Sequence, residues 1–582
     1  MAKTTSLLFV FFFLFSAVYS SINSALDSAL PRHGEEFSLK KTIILLSKIA
    51  DPGLNESRVE RDINALTALA ASRVKGARTP GEKIAEINKV IFEDYNFRFD
   101  ETADSFIQRR RLSEAWFGGL AEYESFERVL KERSGICVSL SLLYLIIAEE
   151  LKLPIYPVFM PRHIFVRWDD GTLRINIETT AKGAVISDSA YASKFGYKPG
   201  GPYGKTLKKI NAVGAFLNNI GVHFQLAGRA AEAVEIHKRD VAINPDIAGS
   251  RANLGAAYIE TGMYSEAVLT LEKAHDMEPA DADALLNLSI AKNRTGDHAA
   301  AIRGFEKLLR LSPNDLAAYD GLGISHSRSG DPKRAEQYYL KALNLDSSYI
   351  NTLNNLGVLY QEQGRLSEAL RLFRRAVSSN PSRFESRANL AIALQKNDYL
   401  YEAENEYEAA IRLNPKASDI HYNLGLLYHK QGKKSPAESA YRKAIELNPK
   451  EEYAYYNLGV LLQDTNRHAE AAKMYAAALK INPSSFSALH NLGSAYYEEE
   501  KFEKAGETFL KALSLDPKNK DAAFSAAVSF HRAGSLKKAA EHYKKTISIE
   551  PSFKEAYNNL AAVLSELGED EEAGKWYKKS LE

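Results

Sequence analysis

A period of 34 residues runs through most of the chain, from about Gly214 to the end. Every period carries an alanine at the same place: Ala233, Ala267, Ala301, Ala335, Ala369, Ala403, Ala437, Ala471, Ala505, Ala539 and Ala573. A second position occurs in ten of the periods and is proline in nine of them: Pro245, Pro279, Pro313, Ser347, Pro381, Pro415, Pro449, Pro483, Pro517 and Pro551. Small residues let two helices approach closely, and proline ends a helix. The period therefore predicts eleven antiparallel helix pairs.

This period resembles the tetratricopeptide repeat (TPR). The resemblance implies an α-solenoid superhelix whose first helices line a concave groove for a protein or an extended peptide. Nine of the eleven repeats also carry an asparagine two residues before a small residue, the exceptions being Gly321 and Ser525. These asparagines are Asn219, Asn253, Asn287, Asn355, Asn389, Asn423, Asn457, Asn491 and Asn559.

Two roles fit the repeated asparagines. A side-chain amide both donates and accepts hydrogen bonds, so a row of amides can hold a peptide backbone without reading its sequence. The array is similar in this respect to that of the O-linked N-acetylglucosamine transferases, where such a row binds peptide. Alternatively, asparagine is part of the repeat consensus and serves only local packing.

The chain has one cysteine, Cys137, at the start of a strongly apolar run from Val138 to Leu151. Such a run is typical of a buried helix. The unpaired N–H groups and the dipole at a helix N-terminus favour a thiolate. A single cysteine excludes an intrachain disulfide and a multi-cysteine metal site, and we expect neither a metal nor a cofactor.

His163 and Glu178 flank a predicted β-hairpin. The run from Ile164 to Trp168 and the run from Leu173 to Glu178 read as strands, and Asp170-Gly171 predicts a two-residue turn between them. In that register His163 lies directly opposite Glu178, with Cβ atoms about 4.5–5.5 Å apart. A carboxylate at that distance can orient an imidazole while its other nitrogen reaches a thiol.

These residues resemble the transglutaminase-like superfamily, which is akin to the papain-like cysteine proteases. The matching pieces are Gly135-Ile136-Cys137, His163, and Asn176-Ile177-Glu178-Thr179-Thr180. Glu178 stands where the family usually has aspartate, and the likeness extends from about Glu35 to Lys198. It implies an α+β domain with Cys137 as nucleophile, His163 as base and Glu178 as orienting group, acting as an acyltransferase or amide hydrolase. The alternatives are a buried cysteine beside a structural histidine, and a non-catalytic scaffold for complex assembly.

The remaining features fix the expected organisation. Lys3, the apolar run from Leu7 to Phe15 and the small residues near Ser20 predict a signal peptide over 1–20 and export to a periplasmic or extracellular location, with an uncleaved anchor as the alternative. A transglutaminase-like domain over 26–200 follows, then a linker over 201–213 and the repeat array over 214–582. The fold class is thus mostly α.

Charge and loop composition argue against several partners. Lys and Arg total 75 against 74 for Asp and Glu, so the balance favours neither nucleic acid nor an anionic membrane. No segment of the expected mature chain is apolar enough to span a bilayer. The segment from Tyr197 to Thr206 imitates a phosphate-binding loop but has Pro199 where that motif needs glycine, so it reads as a linker. The oligomeric state is open.

Overall fold

The structure is a computed structural model that describes residues 21–31, 37–102, 126–197 and 201–581. The predicted signal peptide lies outside the described residues. Within those ranges no helix is both long and apolar enough to cross a membrane. The chain forms two compact units that divide between Tyr338 and Tyr339. The first unit holds the domain that precedes the array, the front domain, together with the first repeats. The second unit holds the remaining repeats.

The front domain consists of helices followed by a small sheet. Residues 21–29 are helical. The helices that follow are α1 (Leu39–Ala50), α2 (Glu56–Val74), α3 (Pro80–Asn88) with a π-helical turn (Lys89–Asp94), α4 (Phe126–Glu132), α5 (Cys137–Glu150) and α6 (Asp188–Phe195). The strands are β1 (Arg98–Phe99), β2 (Ser134–Gly135), β3 (Ile155–Met160), β4 (His163–Asp169), β5 (Arg174–Glu178) and β6 (Ala184–Val185). As the apolar run predicts, α5 is buried on all sides except at its C-terminal end.

Strands β3 to β6 form one antiparallel sheet in sequence order. The predicted two-residue turn at Asp170-Gly171 is wrong, because Asp169 pairs with Arg174 and the loop has four residues. The Asp170 carboxylate accepts hydrogen bonds from the backbone N–H groups of Thr172 and Leu173, at 3.0 and 2.8 Å. These bonds hold a wider loop and shift the register by two residues. A shift of two keeps each side chain on its predicted face.

The first repeat shares a hydrophobic core with the front domain. The first repeat helix, α7 (Lys209–Leu226), starts five residues before the predicted array. Its Leu217 belongs to the same buried cluster as Leu39 of α1 and Leu142 of α5. The segment before α7 also bonds to β3, since the Gly204 N–H donates to Phe159 O at 2.9 Å.

Twenty-two helices follow the predicted repeats in eleven antiparallel pairs. In the first unit they are α7, α8 (Ala230–Ile243), α9 (Ala248–Glu260), α10 (Tyr264–Met277), α11 (Ala282–Arg294), α12 (His298–Leu311), α13 (Leu316–Arg328) and α14 (Pro332–Leu345), which ends in the second unit. In the second unit they are α15 (Ile350–Glu362), α16 (Leu366–Ser379), α17 (Phe384–Lys396), α18 (Leu400–Leu413), α19 (Ser418–Lys430), α20 (Lys434–Leu447), α21 (Glu452–Gln463), α22 (His468–Ile481), α23 (Phe486–Glu498), α24 (Phe502–Leu515), α25 (Lys520–Arg532), α26 (Leu536–Ile549), α27 (Lys554–Glu566) and α28 (Asp570–Leu581).

The small repeat positions serve close packing, as predicted. A Cβ added at Gly425 would lie 2.6 Å from the ring of Tyr441, and one added at Gly459 would lie 2.7 Å from the ring of Tyr475. Both tyrosines are fully buried. Each glycine therefore receives an aromatic ring from the second helix of its own repeat.

Candidate active site

Cys137 is the first residue of α5, and only Ile136 separates it from β2. A Cβ at Gly135 would lie 2.5 Å from Ser139 Oγ, so glycine lets the strand run straight into the helix. No side chain caps the start of α5. Cys137 therefore lies at the positive end of the helix dipole, beside backbone N–H groups that the helix leaves unpaired.

His163 lies between Cys137 and Glu178. Its Nε2 is 2.8 Å from Glu178 Oε2. Cys137 also acts on this imidazole, since it helps to raise the pKa of His163. Because Nε2 faces Glu178, Nδ1 is the nitrogen left for the sulfur. The structure thus brings the three predicted site residues together, although His163 and Glu178 are diagonal rather than directly opposite.

Glu178 is buried but ionised. Oε1 accepts hydrogen bonds from Thr180 N at 3.0 Å and Thr180 Oγ1 at 2.7 Å. Oε2 accepts one from the Tyr191 hydroxyl at 2.8 Å in addition to His163. Burial opposes the charge, but the bonds from His163 and Thr180 outweigh it and lower the pKa of Glu178 to about 2. A fixed negative charge therefore lies against the imidazole.

That charge sets the protonation state of His163, which is 11 % exposed. Burial alone would lower the pKa of an imidazole. Hydrogen bonds and charge interactions with Cys137 and Glu178 act in the opposite direction and raise the pKa of His163 to about 9. The imidazole is therefore protonated at neutral pH, which is the form that pairs with a thiolate.

Helix α6 supplies two aromatic residues that sequence reasoning missed. Tyr191 donates to Glu178, and Phe195 stacks on the imidazole of His163 with ring centroids 5.1 Å apart and planes 11° apart. The four-residue spacing of the two rings places them on one helix face. The sequence shows that spacing, but nothing in it indicates that this face covers the His163–Glu178 pair.

A second buried polar group fixes α6 to the sheet. Arg167, only 2 % exposed, donates from Nε to Asn176 Oδ1 and from Nη2 to Asp188 Oδ1, both at 2.6 Å. Asn176 Nδ2 also donates to Asp188 Oδ1 at 2.7 Å. Because Asp188 is the first residue of α6, this network holds the helix that carries Tyr191 and Phe195.

The predicted asparagine row contains bonds between neighbouring repeats. Asn253 Nδ2 donates to Asn218 Oδ1 at 2.7 Å in the first unit. In the second unit Asn457 Nδ2 donates to the Tyr422 hydroxyl at 2.9 Å, and Asn491 Nδ2 donates to the Tyr456 hydroxyl at 3.2 Å. At these positions the amide nitrogen joins each repeat to the one before it.

Comparison with known proteins identifies both parts. Residues 119–197 match the family model of the transglutaminase-like superfamily. Tetratricopeptide-repeat models match 248–281, 280–348, 350–380, 400–432, 418–451, 456–520, 490–551 and 542–575. The chain joins a transglutaminase-like domain to a TPR array.

Curated relatives share only parts of this transglutaminase-like TPR protein. F-box only protein 21 of Mus musculus is 39% identical over 71 residues, which are 12% of this chain and 10% of the relative. A UPF0162 protein of Buchnera aphidicola subsp. Schizaphis graminum is 30% identical over 134 residues, which are 23% of this chain and 45% of the relative. The chain thus spans less than half of each of these relatives.

Solved structures resemble parts of the same chain. MamA is 27% identical with a TM-score of 0.27, covering 28% of this chain and 90% of MamA. YrrB, described as a TPR protein with an unusual peptide-binding site, is 24% identical with a TM-score of 0.30, covering 32% of this chain and 95% of YrrB.

Proposed function

We propose that the transglutaminase-like domain performs thiol acyl chemistry on peptide or protein amides. The observation that carries the proposal is the contact of 2.8 Å between His163 and the ionised, buried Glu178, in an imidazole whose pKa Cys137 also helps to raise. A protonated imidazole beside a sulfur at a helix N-terminus supports a thiolate–imidazolium pair, which is the reactive form of a nucleophilic cysteine.

The steps follow from these positions. The Cys137 sulfur attacks the amide carbon, and the carbonyl oxygen takes the negative charge of the tetrahedral intermediate. The backbone N–H of Cys137 is one donor suited to stabilise that oxygen. His163 gives its proton to the leaving amine as the C–N bond breaks, leaving a thioester. His163 then accepts a proton from water or from a second amine, which attacks the thioester and restores the thiolate.

Glu178 and its neighbours would keep His163 ready for both proton transfers. Glu178 orients the ring and stabilises its charge, while Thr180 and Tyr191 hold the carboxylate. We therefore place Tyr191 among the positioning residues. With Phe195 stacked against it, the imidazole has little freedom to turn away from the sulfur.

The repeats would present the substrate or a partner. We propose that the asparagines hold an extended peptide backbone, with Asn457 as the best-defined example. Because its Nδ2 already donates to Tyr422, a peptide N–H would be accepted by Oδ1. In keeping with the predicted signal peptide, we propose that the protein works after export.

An activated ester tests the chemistry without knowledge of the natural substrate. Full-length protein mixed with p-nitrophenyl acetate should release a stoichiometric burst of p-nitrophenolate and carry an acetyl group on Cys137 by mass spectrometry. Cys137→Ser and His163→Ala should lose the burst, whereas Glu571→Gln, at an exposed position of α28, should keep it. Faster loss of the acetyl group on addition of an amine would indicate transfer rather than hydrolysis.

The second candidate is a non-catalytic scaffold, and the burial of Cys137, which is 7 % exposed, favours it. Acetylation of Cys137 no faster than that of a cysteine in an unstructured peptide would select this function. The front domain would then have only a structural role, through the hydrophobic core that it shares with the first repeat.

A further inference from the structure

The second unit contains a basic pocket that the proposed chemistry does not use. It is an open pocket of about 570 Å³ between the turn at Ser347-Ser348 and helix α16. Five serines, three arginines and one leucine line it, and none of the nine is acidic. The arginines are Arg371, Arg374 and Arg375. The volume lies within the range of small-ligand sites, about 300–1,000 Å³.

The sequence departs from the repeat pattern at this pocket. Ser347 stands where nine other repeats have proline. Ser379 stands where nine other repeats have an aliphatic residue or methionine: Ile243, Met277, Leu311, Leu345, Leu413, Leu447, Ile481, Leu515 and Ile549. Repeat 5 is also the one repeat with arginine at all three positions of Arg371, Arg374 and Arg375. Polar residues thus replace the consensus apolar ones where the arginines cluster.

The existing contacts leave positive charge in the pocket. Arg375 Nη2 donates to the backbone carbonyl of Ser347 at 2.7 Å. Because the carbonyl is neutral, this bond does not neutralise the charge of Arg375. Arg374 pairs with Glu402 at 2.7 Å. Arg371 forms no hydrogen bond or close ion pair in the described chain.

Besides Glu402, two carboxylates lie near the pocket, and each already accepts hydrogen bonds. Glu368 is held through both oxygens by Arg365, at 2.7 Å each. The hydrogen bond from Arg365 is the main cause that lowers the pKa of Glu368, and the charges of Arg365 and Arg371 lower it further. Asp346 Oδ1 accepts from the N–H and hydroxyl of Ser348, at 2.9 and 2.6 Å.

We propose that this pocket binds a phosphate group. Arginine presents several N–H donors in a planar fork that matches the oxygens of phosphate, and serine hydroxyls donate to the remaining ones. The arginines are solvent-exposed, so the rest of the ligand can lie outside the pocket. A free polyphosphate and a phosphoserine in a partner protein share this chemistry.

Calorimetry on the full-length protein tests the proposal with two probes, pyrophosphate and a phosphoserine peptide. Titrations run at constant ionic strength, with chloride and the unphosphorylated peptide as blanks. We expect saturable binding of at least one phosphorylated probe. Arg371→Gln should weaken it about tenfold, because a charged hydrogen bond and an unpaired charge are lost together. Tighter binding of the peptide would indicate a protein-borne phosphate, and tighter binding of pyrophosphate a free one.

Two further variants separate the pocket from general charge effects. Ser379→Leu restores the residue type of nine other repeats, so it should fold normally by circular dichroism and abolish binding by filling the pocket. Arg442→Gln is the matched control, since Arg442 occupies the Arg374 position two repeats later and has similar exposure. Arg442→Gln should bind as wild type does. Binding of neither probe, equal binding by Arg371→Gln, or equal weakening by Arg442→Gln would overturn the proposal.

Discussion

The front domain and the repeat array use buried side chains in opposite ways. In the front domain His163 and Glu178 are buried or nearly so on one sheet face, and each depends on specific partners. In the array the same glycine–tyrosine packing recurs, as in Gly425 with Tyr441 and Gly459 with Tyr475. The front domain therefore depends on one arrangement, while the array repeats a tolerant one. A single substitution should therefore abolish the reactivity of the site in the front domain, whereas in the array it should lower stability or peptide binding only locally.

The largest effect should come from the His163–Glu178 pair. An ordinary cysteine with a pKa of ~8.5 is roughly 3% thiolate at pH 7, so His163→Ala should slow iodoacetamide labelling of Cys137 at that pH by about thirtyfold. Labelling should recover as the pH rises toward 8.5. Glu178→Gln should act in the same direction, and the double variant should add little because the two residues act as one unit.

Asn176→Ala is the neighbouring substitution with which these labelling rates are compared. Asn176 lies on the same sheet face but bonds Arg167 and Asp188 instead of His163. It should therefore matter less than Glu178→Gln. A stronger effect at Asn176 would mean that Glu178 is not the residue that orients His163. Unchanged pH profiles in all variants would make Cys137 an ordinary buried thiol.

Acidification should reveal the next largest effect. The pKa of Glu178 is about 2 in the folded domain, against the ordinary value of 4.5 that it takes in the unfolded chain. A depressed pKa gives stability that is present above pH 4.5 and lost as the pH falls toward 2. Glu178→Gln should thus be less stable than wild type at pH 6, on the order of 3 kcal/mol, and nearly equal at pH 2. The free energy of unfolding is measured by titration with urea, with hydrogen exchange in β4 and β5 as the readout. Glu571→Gln, at an exposed position, is the control.

An array substitution should cost less and stay local. Gly459→Val inserts atoms into the space occupied by the Tyr475 ring, which should destabilise the second unit by about 1–3 kcal/mol. Gly574→Val is the control, because a Cβ there meets no atom within 4 Å. Thermal unfolding measures both. Cys137 labelling should be unchanged, and slower labelling in Gly459→Val would contradict the separation of the two regions.

The smallest effect per residue concerns the asparagines. Replacing Asn355, Asn389, Asn423 and Asn457 with alanine should weaken peptide capture while helical content is retained, each lost bond contributing about 0.5–1.5 kcal/mol. Tyr422→Phe removes only the bond that fixes Asn457. Capture assays on the full chain should show a smaller loss for Tyr422→Phe than for the fourfold variant. Unchanged capture in both would support a purely structural role for the asparagines.

The sequence predicted the array better than the hairpin for a physical reason. A period of 34 residues repeated eleven times averages out local irregularity, and the predicted helix pairs are confirmed. The hairpin rested on one turn, and the side-chain bonds of Asp170 to Thr172 and Leu173 produced a longer loop. His163 and Glu178 still meet because a two-residue shift preserves the sheet face. Tyr191 and Phe195 could not be predicted, since their role depends on where α6 docks.

The core shared between α5 and α7 has a consequence for synthesis of the chain. A ribosome releases the N-terminal part first, at about 5–20 residues per second. Leu217, which belongs to the same buried cluster as Leu142, is therefore synthesised several seconds after Leu142. Until then the nascent front domain exposes an apolar surface, which makes it a natural client for a chaperone. The same dependence means that a gene fragment ending at the apparent domain boundary would encode an unfinished core, so the domain and its first repeat should be inherited together.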